Sequence, residues 1–124
     1  MANRVEVINK DLVAQGSVPA ATGTAVDVRG LTAISMYCSL DSGTSYTVKY
    51  QGTTDPAGLK GYADLAFRAA GGGAYATAAA TINPTPPEGV SHYLAPDDNI
   101  AWLRAVTAAP TGSPVGKVVM LAEM

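Results

Sequence analysis

Residues 91–106, SHYLAPDDNIAWLRAV, hold the only histidine of the chain (His92), two adjacent aspartates (Asp97, Asp98) and the only tryptophan (Trp102). No other stretch gathers so many side chains able to do chemistry. A serine–histidine–aspartate nucleophile needs an imidazole bonded to both a hydroxyl and a carboxylate. Ser91 and His92 are neighbours, and on a strand neighbouring side chains leave on opposite faces, so Ser91 does not serve His92. No G-x-S-x-G elbow occurs in the chain. Asp97 or Asp98 folded back on His92 defines no reaction alone, and a hydrolase using His92 and Asp97 ranks third among the functional readings.

Metal chemistry finds little here. The run PDDN offers Asp97, Asp98 and Asn99 as three oxygen ligands for a weak calcium site at a loop tip. It lacks the alternating acids, the glycine and the distant glutamate of an EF-hand. One histidine and one cysteine, far apart in the chain, cannot supply a zinc set. Turn chemistry explains the same residues with less strain, because Asp and Asn side chains bond their own backbone. Cys38 lies in an apolar run and reads as a small core residue. The sequence therefore assigns no catalytic residue, no cofactor and no metal.

What remains are candidate contact residues. In NIAWLRAV, Ile100, Trp102, Arg104 and Val106 share one face and Ala101, Leu103 and Ala105 the other. Both faces are largely apolar, as expected of a central strand with Trp102 in the core. Arg104 on that face must snorkel outward, stack on an aromatic ring or meet a carboxylate. Tyr37 falls on the polar face of its strand and is a candidate interface residue. With Asp97 and Asp98, these are the contact residues the sequence offers for an interface or a ligand: Tyr37, Trp102, Arg104, Asp97 and Asp98.

Alternation with period two governs the elements that carry them. Strands are expected at 4–9, 24–29, 31–40, 45–52, 74–82, 90–95, 99–107 and 116–123, with Gly- and Pro-containing punctuation between them. DSGT joins LTAISMYCSL to SYTVKYQG as a hairpin, and APDD reads as the turn of a second hairpin around Trp102. Near 56–70, Asp55 as N-cap, Pro56 at the first helical position and Gly71 beyond the end signal one short helix. Gly58 and Gly61 argue against it, and a strand through Ala63, Leu65 and Phe67 competes. NPTPPEG (83–89) is stiff and cannot pair as a central strand. About eight short strands imply a single all-β domain over 1–124, a β-sandwich or jelly-roll-like barrel. Residues 1–23 read as a partly extended N-terminal arm.

The 124 residues are 48% hydrophobic and only 15% charged, against about 25% in an average domain. Such a surface fits a protein packed against others. The net charge is −2, and the basic residues are scattered singly, so no direct nucleic-acid partner is expected. MANRVEVINKDL lacks the apolar run of a signal peptide, and no segment reaches the roughly 18 apolar residues of a membrane span. Folding in a cytoplasm and no membrane partner are the corresponding expectations.

The chain resembles small β-sandwich accessory proteins of tailed-phage virions, of the capsid decoration or cement type. The likeness rests on VDVRGLTAISMYCSL, the Tyr/Val strand followed by QGTTDPAG, the late IAWLRAVT strand and the closing VGKVVMLAEM. None of these is a diagnostic motif, so no residue role is carried over. The resemblance implies a non-enzymatic virion protein, assembled in the host cytoplasm as a homo-oligomer, often a trimer. Its partners would be the major capsid protein or other virion proteins, met through inter-subunit sheet contacts. The alternative is a carbohydrate- or receptor-binding module of a phage fibre, centred on Trp102 with Asp97 and Asp98.

Overall fold

The computed structural model describes residues 7–83, 89–95 and 99–124. Among the described residues it is all-β, with 66% strand and no helix. The strands are β1 (Val7–Ser17), β2 (Ala21–Thr22), β3 (Val26–Asp27), β4 (Thr32–Ser42), β5 (Ser45–Thr53) and β6 (Ala63–Asp64). They continue with β7 (Phe67–Ala69), β8 (Gly72–Ala76), β9 (Ala80–Ile82), β10 (Gly89–Leu94), β11 (Trp102–Thr111) and β12 (Val115–Glu123). The first sheet runs β1-β12-β4-β10-β7-β8; the second is built on β11 and β5, flanked by β2 and β3 on one side and β6 and β9 on the other. All pairings are antiparallel. Neither sheet closes, so the arrangement is sandwich-like and not a barrel.

Alternation builds the core between the sheets. Met36, Cys38 and Leu40 of β4 and Val118, Met120 and Ala122 of β12 point inward from the first sheet. Tyr46, Val48 and Tyr50 of β5 and Leu103, Ala105 and Thr107 of β11 answer from the second. Nearly all of these side chains are fully out of solvent, and burying a large apolar one stabilises the fold by about 1.5–3 kcal/mol.

Four expectations are corrected. The described residues hold twelve strands, not eight: 74–82 divides into β8 and β9, and the short β2, β6 and β7 carry too few residues to show a period. The helix near 56–70 does not form. Gly58 and Gly61 both adopt left-handed φ (68° and 77°), which ends any helical run. Asp55 still caps as its position implied, its carboxylate accepting from the amides of Ala57, Leu59 and Lys60, but it closes a turn. The competing strand reading holds in two pieces, β6 against β5 and β7 against β10.

The DSGT hairpin is the third correction. β4 and β5 are consecutive but lie in different sheets, β4 between β12 and β10 and β5 beside β11. Likewise β10 belongs to the first sheet and β11 to the second, so the strands flanking APDD do not form a hairpin either. Both strands of each pair have an inward apolar face, and crossing between layers lets those faces meet across the core. Hydrogen bonding then comes from strands remote in sequence. Fourth, residues 7–17, expected within an extended arm, form β1 along β12 of their own chain.

Candidate functional site

The sole histidine lies in the core, 2% exposed. His92 on β10 pairs with Met36 of β4, which aims its ring inward toward the second sheet. There Tyr50 Oη lies 2.7 Å from His92 Nδ1 and 3.0 Å from Cys38 Sγ, with Sγ and Nδ1 3.8 Å apart. The Phe67 ring stands edge-on to both Tyr50 and His92, each at 4.9 Å between centroids. A Cys–Tyr–His contact has the residue types of a nucleophilic site, but its environment keeps every member neutral. Burial pushes the Cys38 thiol up to about 12 and His92 down to about 4, and it raises Tyr50 well above the phenol range. A thiolate and an imidazolium are thus both suppressed. The cluster is a sealed polar link between the sheets. Asp97 and Asp98, the proposed partners of His92, lie outside the described residues.

The candidate contacts Trp102 and Arg104 stand on the outer face of the second sheet. This corrects the core placement of Trp102: the inward positions of β11 belong to Leu103, Ala105 and Thr107, and Trp102 is half-buried outside. Arg104 on the same face was the signal, since a cation marks the side that meets water. The Trp102 indole packs on the turn at Gly58 and donates from Nε1 to the Pro56 carbonyl at 3.0 Å. Arg104 stacks on Tyr62, its guanidinium carbon 3.7 Å from the ring centroid, and donates from Nε to Gln51 at 3.0 Å. Gln51 bonds Asp64 at 2.9 Å, and Lys49 lies 3.3 Å from the same carboxylate. The Gln51 hydrogen bond, then Lys49, holds Asp64 below the usual carboxylate range. The whole row is mutually satisfied and pins the 55–62 turn to the sheet.

A Cβ at position 58 would sit about 2.5 Å from the Trp102 ring, where the backbone φ is also left-handed. Gly58→Ala is therefore expected to displace the indole into solvent with a red shift of its fluorescence, while the core stays folded. An unchanged emission spectrum counts against this packing.

The outer face of the first sheet differs. Tyr37, Tyr75 and Tyr93 are exposed there to 38–40%, and their hydroxyls make no hydrogen bond among the described residues. Arg68 on β7 lies 5.2 Å from the Tyr75 ring centroid and 5.6 Å from that of Tyr93. Beside these two tyrosines opens a groove of about 390 Å³, floored by Leu31, Ile34, Leu94 and Ile100. Thr32, Ala33 and Ala95 also line it, and among the described residues no charged side chain does. Ala33 holds a left-handed φ of 52° at the start of β4, next to the shift in register between Leu121 and Glu123 of β12.

Of the sequence candidates, then, Tyr37 lies on one outer face and Trp102 with Arg104 on the opposite one, and no single site unites them. The sequence does not single out Tyr75 or Tyr93. Tyr93 does alternate with the buried His92, which places it outside; Tyr75 lies in an alanine-rich run whose period is too weak to assign a face. Among the described residues no three His, Cys, Asp or Glu side chains are grouped to hold a metal ion.

No family model matches the sequence, and no curated protein matches it. Among solved structures, the chain is similar to the SPBc2 prophage-derived protein YomS, with a TM-score of 0.71 and 10% identity over 100% of this chain and 98% of that one. It is also aligned with PirA at a TM-score of 0.42 and 13% identity, over 100% and 96% of the two chains. The PirA likeness is too loose to carry an argument. At 10% identity, the likeness to YomS shows a shared fold and no more.

Proposed function

We propose that this chain is a non-enzymatic structural protein of a phage particle, self-associating through sheet edges and seated on a capsid or another virion protein. The observation that carries the reading is the outer edge of β1, open except at Leu12, whose carbonyl accepts from the Thr24 amide at 3.1 Å. It is eleven residues long, pairs as a strand among the described residues only with β12, and leaves Val7 64% exposed. Such an edge is a template for a neighbour's strand. The low charge and the prophage origin of YomS point the same way.

Lys10 and Asp11 at the middle of β1 shape that pairing. An antiparallel two-fold contact that keeps both cores on one side sets positions of equal parity opposite each other, so registers centred here bring Lys10 to Lys10 or Asp11 to Asp11. Like charges directly opposite are unfavourable. Pairing of β1 with a different edge of the next copy avoids this, and a head-to-tail contact of that kind closes into a trimer where its rotation is a third of a turn. Light scattering of the purified chain is expected to give a multimer mass, and the chain is expected to sediment with phage particles. A stable monomer that never copurifies with particles would overturn the proposal. A second reading, saccharide or receptor binding, is favoured by one observation, the groove walled by Tyr75 and Tyr93.

A further inference from the structure

We infer that the groove beside Tyr75 and Tyr93 is a site for one neutral pyranose residue of a glycan. The inference rests on the second reading above and is independent of particle assembly. The volume of about 390 Å³ falls in the range of small-ligand sites, roughly 300–1,000 Å³. Among the described residues a charged ligand finds no counter-charge, because no ionisable acid or base of theirs lines the groove and the Arg68 guanidinium is engaged by the two rings behind it. A wholly apolar ligand fits poorly too, since covering the two tyrosine hydroxyls without giving them a partner costs about 1–3 kcal/mol each.

A pyranose meets both conditions. The C–H groups along one face of the sugar ring carry partial positive charge and pack on the negative face of an aromatic ring. Its hydroxyls bond the Oη atoms of Tyr75 and Tyr93, free among the described residues, and donate to the Thr32 hydroxyl, which itself points at the Glu123 carbonyl 3.5 Å away. The rings arrive already oriented: Arg68 contacts both, and Tyr93 is fixed by the pairing of β10 with β4 and β7. Pre-set rings lose little freedom on binding.

The test is saturation-transfer NMR on the full-length chain, with the methyl glycosides of glucose, galactose, mannose and N-acetylglucosamine as probes at millimolar concentration. Transfer to at least one glycoside is expected. Its affinity should fall by about tenfold or more in Tyr75→Ala and in Tyr93→Ala, which is about 1.4 kcal/mol. Tyr75→Phe, which keeps the stacking face, should retain part of it, and Trp102→Phe on the opposite face should retain all of it. Circular dichroism checks that each variant is folded; if Tyr93→Ala is not, Tyr75→Ala decides. No transfer from any glycoside, or equal transfer in the tyrosine-to-alanine variants, overturns the inference. Either result leaves the particle-assembly reading standing, because that reading is judged by mass and cosedimentation.

Discussion

Gly116→Ala is expected to lower the stability of the fold by about 3 kcal/mol or more, seen as a large drop in the denaturant midpoint with an unchanged slope. Gly116 lies on β12 opposite Leu40 of β4, one residue past an irregularity in their register. A Cβ there would stand 2.0 Å from the Ser39 carbonyl oxygen and 2.9 Å from its carbon. These are backbone atoms, so no side-chain rotation relieves the clash. The carbonyl cannot retreat freely, because Tyr46 donates to it at 2.8 Å from the other sheet. The Ser39 hydroxyl accepts from the Lys117 amide at 3.1 Å, binding the same two strands again. One added methyl group therefore pushes apart β12 and β4, two interior strands of the first sheet, and breaks an inter-sheet hydrogen bond. Gly71→Ala is the matched control: its Cβ meets nothing within 4 Å and its φ is not left-handed. Its denaturant midpoint should stay within about 0.5 kcal/mol of the parent. Equal midpoints for the two variants would show that Gly116 is not confined as described.

The role of Gly116 illustrates which parts of the molecule the sequence discloses. The long strands β4, β5, β11 and β12 are legible because their apolar residues keep period two over many positions, which also assigns the buried face. Which strands pair is not legible, since alternation is the same whether a strand meets its neighbour in sequence or one sixty residues away. That is why DSGT looked like a hairpin turn although β4 and β5 pack across the core instead. Short β2, β3, β6 and β7 are defined by what they lie against, and their own residues hold no period. Among site residues, Arg104 was legible as an anomaly needing an aromatic or polar partner, and Tyr62 and Gln51 supply both. The meeting of Cys38, Tyr50 and His92 was hidden, because it depends on three strands in two sheets and no local spacing encodes it.

That hidden cluster sets the second large effect, a loss of stability on mild acidification traced to one residue. In the unfolded chain His92 takes up a proton near its ordinary pKa of 6.5, whereas burial lowers its value in the fold to about 4. Between those values the unfolded state binds more protons, so stability is fully present above about pH 6.5 and falls as the pH drops toward 4. The slope reaches at most ~1.4 kcal/mol per pH unit, and the loss across the window is on the order of 2–3 kcal/mol. Urea titrations from pH 7 to pH 4 should show this fall in the parent chain and a clearly shallower one in His92→Phe. Carboxylates titrating at the acid end contribute alike to both proteins and cancel in the difference. Tyr50→Phe should behave differently. It removes the hydroxyl between Sγ and Nδ1, leaving His92 only the 3.8 Å approach of Cys38, and costs about 1–3 kcal/mol already at pH 7. The acid slope of that variant remains, because its imidazole is still neutral and buried. Parallel pH profiles for the parent and His92→Phe would place the acid sensitivity elsewhere and remove His92 from the account.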